Sequence, residues 1–125
     1  MEYLLKEEVI NRLEQIIESI DVLLERNTDI TSVEDYLSTP WGMTLLDANL
    51  MRIQFIGETA LAIDKKTDKS LLANYPEIPW KQIFGMRNYI SHQYADIDPD
   101  MVFIVIRKHL NPLKSTIQQI IKDLK

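Results

Sequence analysis

The sequence contains no cysteine, which excludes disulfide bonds and thiolate-ligated zinc sites. It has only three glycines and five prolines among its 125 residues, and this scarcity of turn formers, together with regularly spaced aliphatic residues, favours helices over an all-β fold. No apolar run approaches the roughly 20 residues that a membrane-spanning helix needs. The opening stretch "MEYLLKEEVINR" is too acidic and too amphipathic for a signal peptide. These absences predict a cytoplasmic protein with no membrane contact.

Basic residues are also in deficit, with 14 Lys and Arg against 19 Asp and Glu and a net charge of −5. This balance argues against a nucleic-acid binder that is held by a broad basic surface. The deficit is confined to one part of the chain. Residues 1–36 carry ten acids and three bases, whereas residues 37–125 carry nine acids and eleven bases. RNA binding by the second part therefore stays open.

The hydrophobic fraction of 46% and the charged fraction of 26% are typical of a soluble globular protein, and the length predicts one domain over residues 1–125. Apolar residues spaced by three and four predict the helices. The long helices are expected at about 3–26, 42–64, 79–92 and 99–124, and a short one at 32–38. The predicted fold class is all-α, an antiparallel bundle of four main helices plus a short helix.

Several single residues refine this prediction. Ser32 is expected to cap the short helix, and Pro79 suits the first turn of the third long helix. Gly57 lies in the middle of the second long helix, where glycine costs roughly 1 kcal/mol relative to alanine, so we expect another backbone to approach closely there. Asp98 and Pro99 form a typical helix start, and Pro112 predicts a kink.

The stretch "RNYISHQY", residues 87–94, gathers polar side chains that are rare elsewhere in the chain. Each has an ordinary structural interpretation when it is taken alone. Arg87 could belong to an ion pair, Asn88 and Ser91 could end a helix, and His92 could be a surface or capping residue. His109 follows Arg107 and Lys108 with no polar cluster around it and is interpreted as a surface residue. Asp96, Asp98 and Asp100 fit helix capping better than a calcium loop.

Taken together, the residues of this stretch suit a phosphodiester. Imidazole transfers protons near neutral pH, and guanidinium places a permanent charge on phosphate oxygens. Arg87 and His92 are five residues apart, or about 140° around an ideal helix. They can converge only if the helix ends near His92 or if two copies of the chain face each other. Nothing in this chemistry requires a metal or another cofactor.

The pattern R-x-x-x-x-H-x-Y, formed by Arg87, His92 and Tyr94, resembles the motif of the HepT toxins, all-helical members of the HEPN superfamily. The flanking stretches "FIGETA" (55–60), "YPEIPWKQIFGMRN" (75–88) and "ADIDPDMVFIVIRKHLNPL" (95–113) are similar to that family in order and spacing. The resemblance covers residues from about 43 to the end of the chain, and the first helix only by pattern.

The resemblance implies a metal-independent endoribonuclease that acts as the toxin of a type VII-like toxin–antitoxin pair. Arg87 and His92 would be the catalytic pair, and Asn88 the polar residue inside the motif. The family forms homodimers, and its antitoxin, an MntA-like nucleotidyltransferase, adds AMP to the motif tyrosine, here Tyr94. Glu58 matches the family's "GE" pair and would support the dimer, orient Arg87, or simply lie on the helix surface.

Two other functions are compatible with the sequence. The first is a HEPN-type helical bundle that has lost catalysis and serves as the binding partner of a nucleotidyltransferase. The presence of Arg87, His92 and Tyr94 favours the enzyme, because an inactive site has no chemical reason to keep all three. The second is a plain helical dimerisation module, which leaves the clustering of polar residues unexplained.

Overall fold

The computed structural model describes residues 1–125, which form helices and turns and no β-strand. The α-helices are α1 (Tyr3–Arg26), α2 (Glu34–Leu37), α3 (Pro40–Lys66), α4 (Trp80–Gln93), α5 (Pro99–Ile104) and α6 (Leu110–Leu124). A turn of π-helix, Val105–His109, joins α5 to α6, so that the two continue as one long helix. The predicted all-α fold with four long helices and one short helix is confirmed.

The long helices pack in antiparallel order. Along α1 and α3, Glu8 contacts Lys66 near one end of the pair and Asn27 contacts Asn49 near the other. One core of 22 buried residues joins the four long helices and the connector before α4. A smaller cluster of Ile30, Tyr36 and Leu45 closes the end of the bundle that carries α2. None of the helices combines the length and the apolar character that crossing a membrane requires.

A buried network of hydrogen bonds fixes the end of the bundle where α1, α2 and α3 meet. The amides of Asn27 and Asn49 pair with each other at 2.9 and 3.0 Å, and the Tyr36 hydroxyl donates to the Asn27 side-chain oxygen at 2.7 Å. Burial raises the pKa of the Tyr36 hydroxyl above its usual value. Since buried polar groups are destabilising unless they are paired, this closed set of hydrogen bonds lets Asn49 occupy the core face of α3.

The short helix begins later than the sequence suggested. It runs from Glu34 to Leu37, and the predicted Ser32 cap is wrong, because Val33 occupies the capping position and no side chain caps the helix. Instead of accepting a hydrogen bond with its side chain, Ser32 donates one with its backbone. The backbone N–H groups of Thr31 and Ser32 donate to the Asp35 carboxylate at 2.8 and 3.2 Å. These donors lower the pKa of Asp35 below its usual value.

Helix α3 is longer than predicted at its start, because Thr39 caps it by accepting from the Gly42 N–H at 2.9 Å. Pro40 fills the first helical position, where its missing N–H has no consequence. Pro79, in contrast, lies just before α4 rather than in its first turn. The predicted cap at Asp98 is confirmed, since its carboxylate accepts from the Asp100 N–H at 2.9 Å.

The connector between α3 and α4 is fastened to the bundle at Tyr75. Its hydroxyl donates to the Asp123 carboxylate in α6 at 2.6 Å, which lowers the pKa of Asp123 and raises the pKa of Tyr75 to about 12. Its carbonyl accepts from the Trp80 indole N–H at 2.9 Å. The first residue of α4 is therefore held in place by a tyrosine that is itself bound to α6.

Gly57 is the point of closest approach between α3 and α4. A Cβ atom built on Gly57 would lie 2.8 Å from the Ile83 carbonyl oxygen and 3.4 Å from the Arg87 backbone nitrogen. A separation of 2.8 Å is too short for any carbon atom, so only glycine lets the two backbones meet here. The expected close approach is thus present, and it lies against the residue that begins the R-x-x-x-x-H-x-Y motif.

Replacing Gly57 by alanine should destabilise the bundle by about 1–3 kcal/mol, the usual range for an overpacked contact. Gly85 supplies the matched control, because a Cβ atom there would meet nothing within 4 Å. Gly85→Ala should stabilise the protein by about 1 kcal/mol through helix propensity alone. Urea unfolding of the two variants gives the comparison, and equal stabilities would contradict the packing argument.

Candidate functional site

The motif residues lie at the C-terminal end of α4. Arg87, Asn88 and His92 belong to the helix itself, which ends at Gln93, and Tyr94 begins a turn of 3-10 helix, Tyr94–Asp96. The sequence allowed Arg87 and His92 to converge if the helix ended near His92. The helix does end one residue after His92, but His92 itself is still helical, and on an ideal helix the two side chains would leave α4 about 140° apart and about 7.5 Å apart along its axis. No hydrogen bond joins the two side chains within one chain.

Arg87 lies on the side of α4 that faces α3. Its backbone rests against Gly57, and its side chain is partly buried. No carboxylate lies within ion-pair distance of the Arg87 guanidinium, since the three salt bridges of the chain use other cations, namely Arg12, Lys66 and Lys114. The backbone of Arg87 therefore lies at the groove between α3 and α4, and no acidic side chain of the chain neutralises its guanidinium.

The groove beside Arg87 contains one polar residue, Gln54, that the sequence did not indicate, and it contacts Ser91 and Glu58. The Gln54 amide donates to the Ser91 hydroxyl at 2.8 Å, and weakly to the Glu58 carboxylate at 3.5 Å. Ser91 lies one helical turn after Arg87, so the three polar side chains share one flank of the α3–α4 pair with the guanidinium. The separation of Gln54 and Glu58 by four residues, which puts them on one helix face, is the sequence feature that could have indicated this polar group.

Glu58 is exposed on α3 and makes no ion pair with Arg87. Its hydrogen-bond partner within the chain is Gln54. The structure thus shows no direct contact by which Glu58 would orient Arg87. The Glu58 carboxylate lies on an exposed face next to the groove.

His92 and Asn88 face outward from α4. Both side chains are exposed, and as residues four apart they share one face of the helix. Neither side chain forms a hydrogen bond or an ion pair with another residue of the chain. The imidazole is thus open to solvent, to a ligand, or to a second protein molecule.

Tyr94 borders a shallow cavity of about 270 Å³ between the end of α4 and the middle of α3. Its neighbours there include Asp47, Ala48 and Met51, and its side chain is 56% exposed. Its hydroxyl forms no hydrogen bond within the chain. A larger cavity of about 540 Å³, between the start of α4 and the π-turn, is lined by neither Arg87 nor His92 nor Tyr94.

An exposed apolar surface on α3 adjoins the motif, and we call Met51 and Phe55 the α3 patch. Met51 is 75% exposed and Phe55 is 37% exposed. The two residues are four apart on one helix face, and Met51 touches the same cavity as Tyr94. Large apolar side chains grouped on a surface in this way are typical of protein interfaces.

The acidic residues do not form a metal site in the structure. No group of three or more His, Asp or Glu side chains is placed to hold a metal ion. Asp98, which could have belonged to a calcium loop, caps α5 instead, as predicted.

Comparison with known proteins gives consistent results. Residues 7–120 match the family model described as "Ribonuclease HepT-like". A protein of Caldanaerobacter subterraneus, provisionally named an RNase, is 28% identical over 113 residues, which are 90% of this chain and 94% of that protein. A Thermococcus cleftensis protein that carries the name ribonuclease HepT at a similarly provisional level is 26% identical over 110 residues, or 88% and 93% of the two chains.

A longer relative comes from Methanocaldococcus jannaschii and is named as a gamma-glutamylcyclotransferase and, provisionally, as an RNase. It is 30% identical over 112 residues, which are 90% of this chain but 47% of that protein. The chain therefore spans about half the length of this relative. No solved structure matches the chain significantly.

Proposed function

The chain belongs to the HepT-like ribonuclease family, and from this premise we propose that it is a metal-independent endoribonuclease, the toxin of a type VII-like HepT/MntA toxin–antitoxin system. The observation that carries the proposal is the state of the motif. Arg87, His92 and Tyr94 are all present at one end of α4, and none of their side chains is engaged by another residue of the chain. We place the protein in the cytoplasm, with RNA as its substrate.

The chemistry follows from an imidazole and a guanidinium. His92, as general base, takes the proton of a ribose 2′-hydroxyl, and the 2′-oxygen then attacks the adjacent phosphorus. The bond from phosphorus to the 5′-oxygen breaks, which leaves a 2′,3′-cyclic phosphate, and the 5′-oxygen takes a proton from water. In the alternative role, protonated His92 is the general acid that supplies this proton, and water takes the proton of the 2′-hydroxyl. Arg87 stabilises the negative charge that builds on the non-bridging oxygens. Asn88 lies on the His92 face of α4 and would contact the same substrate.

A homodimer supplies the convergence that one chain lacks. Arg87 and His92 diverge along α4, so a twofold axis beside this helix would set the Arg87 of one protomer against the His92 of its partner. The α3 patch is the apolar surface next to the motif and is the natural contact between the two copies. Glu58, exposed close to this patch, would then lie at the dimer contact and support it.

Tyr94 would be the residue that the antitoxin modifies. Its hydroxyl has no partner in the chain, and its side chain is well exposed, so a nucleotidyltransferase could reach it. Addition of AMP there would place an anionic phosphate beside the cationic pair, where the phosphate of RNA is expected to bind. The modification would thus block the site by charge and by volume.

A second function is a HEPN-type bundle without catalysis that binds a nucleotidyltransferase. It would need the same exposed Tyr94 and the same α3 patch. It would not need an uncompensated Arg87 held against Gly57, and this observation favours the enzyme.

Purified protein should cleave single-stranded RNA in the presence of EDTA and should leave DNA of the same sequence intact, because the route uses the 2′-hydroxyl. His92→Ala should lower the cleavage rate by about 10²–10⁴ while preserving the fold, the usual contribution of a general base. His109→Ala, which removes the other histidine, is the matched control and should cleave normally. Electrophoresis of labelled RNA measures both. Equal cleavage by the wild type and His92→Ala would contradict the mechanism.

Changing Met51 to glutamate should convert the homodimer to a monomer, since it would place a charge in the apolar contact, and cleavage should fall with it. Leu4, which is 71% exposed in α1, is the matched control, and Leu4→Glu should leave the dimer intact. Light scattering after size-exclusion chromatography gives the mass of each variant. A wild type that is monomeric at assay concentrations would contradict the shared site.

Tyr94→Phe should keep nuclease activity and escape inactivation by the cognate nucleotidyltransferase with ATP. The control is Tyr89→Phe, since Tyr89 is also an exposed tyrosine of the same stretch and should not protect the enzyme. Intact mass spectrometry detects the added AMP, and RNA cleavage reports its effect. Modification of Tyr94→Phe to the same extent as the wild type would disprove the assignment.

A further inference from the structure

The π-turn between α5 and α6 carries three consecutive basic residues, Arg107, Lys108 and His109. No other stretch of the sequence has three in a row. All three side chains are exposed. Turns of π-helix are rare and occur frequently at functional sites, so a cationic turn of this kind calls for an explanation that the proposed catalytic site does not supply.

Arg107 and Lys108 have no acidic partner. The three salt bridges of the chain involve other cations, and neither residue appears in them. Asp35, the residue before Tyr36, could be considered as a partner, because the charge of Arg107 acts to lower the pKa of the Tyr36 hydroxyl. The Asp35 carboxylate, however, accepts hydrogen bonds from the backbone of Thr31 and Ser32 and forms no ion pair with Arg107. Two neighbouring positive charges are thus presented to solvent without neutralisation.

The Arg107 guanidinium is also held in position. It lies over the Phe103 ring, 5.5 Å from the ring centroid, which is within the range of a cation–π contact. Phe103 in turn packs against the small cluster of Ile30, Tyr36 and Leu45. A guanidinium fixed in this way loses less conformational freedom on binding an anion than a free side chain does.

The cationic turn lies close to the motif by way of α3. Phe103 packs against the cluster that contains Leu45, and Leu46 packs against that same cluster. Tyr94 borders the cavity formed by Asp47 and Ala48, the next residues of α3. Phe103, which carries the Arg107 guanidinium, and Tyr94, which ends the motif, therefore both lie against the first half of α3. His109 points elsewhere, since it lines the larger cavity on the other side of α5.

We infer that Arg107 and Lys108 form an accessory site that binds the phosphate backbone of single-stranded RNA next to the cleavage site. This inference rests on the proposed ribonuclease function. The ligand is identified by its chemistry, since two exposed cations without acidic partners match the phosphate backbone of a flexible polyanion. The charge distribution agrees, because the acidic surplus lies in residues 1–36 and the rest of the chain has more basic than acidic residues. Both residues bind and position substrate and take no part in the reaction.

The test is the salt dependence of RNA binding, measured with His92→Ala protein so that the RNA stays intact. A fluorescent single-stranded oligonucleotide is titrated at several salt concentrations against this protein and against the same protein carrying Arg107→Gln and Lys108→Gln. Each lost phosphate contact should reduce the magnitude of the negative slope of log affinity against log salt by about 0.7, so the double change should reduce it by about 1.4. Lys122→Gln, which removes an exposed cation from the end of α6, is the control and should keep the slope.

Lys108→Gln alone keeps the experiment decisive if Arg107→Gln disturbs the fold through Phe103, and thermal unfolding identifies that case. An unchanged slope in the double variant and in Lys108→Gln would overturn the inference, as would absence of RNA binding by the His92→Ala protein. These outcomes are separate from the fate of the proposed function. That function fails if the wild type does not cleave RNA in EDTA, whether or not RNA binding depends on Arg107 and Lys108.

Discussion

The contact between the backbones of α3 and α4 at Gly57 is the constraint on which the candidate site depends. With no side chain at Gly57, the Ile83 carbonyl and the Arg87 backbone come within van der Waals distance of α3. This contact sets how deeply α4 lies in the bundle and how its faces are turned. Arg87 consequently faces the groove, while His92, five residues later, faces solvent. A Cβ atom at position 57 would push the motif helix outward and change the directions in which Arg87 and His92 leave it.

The same constraint bears on the proposed catalytic pair, Arg87 and His92, whose side chains leave α4 on two different faces. A straight helix cannot direct residues five apart to one point, and α4 stays helical through His92. The chain instead presents an uncompensated guanidinium on one flank, an open imidazole on another, and the apolar α3 patch beside them. In the proposed homodimer the two flanks would complement each other, and dimer formation would then be part of the chemistry.

The distribution of charge agrees with this division. The acidic surplus lies in residues 1–36, and α1 and α4 each contact α3. A negatively charged strand would be repelled by this acidic surplus and attracted to the exposed or partly exposed cations Arg87, Arg107 and Lys108. A protein with net negative charge can therefore still attract RNA locally, because the field near a site depends on the nearest unscreened charges.

Sequence alone determined the helices, because the spacing of apolar residues reports directly which face of each helix is buried. It also determined the motif, because R-x-x-x-x-H-x-Y is defined by residue types and their separations along the chain. It also predicted the close approach at Gly57 and the cap at Asp98. It failed at Ser32 and did not find the bond between Gln54 and Ser91, since both depend on how neighbouring segments are placed. Only the tertiary structure decided that Arg87 lies beside α3 without an acidic partner, and that Phe103 packs against Ile30, Tyr36 and Leu45. Such contacts join residues distant in sequence, and their geometry follows from the packing of whole helices rather than from any local pattern.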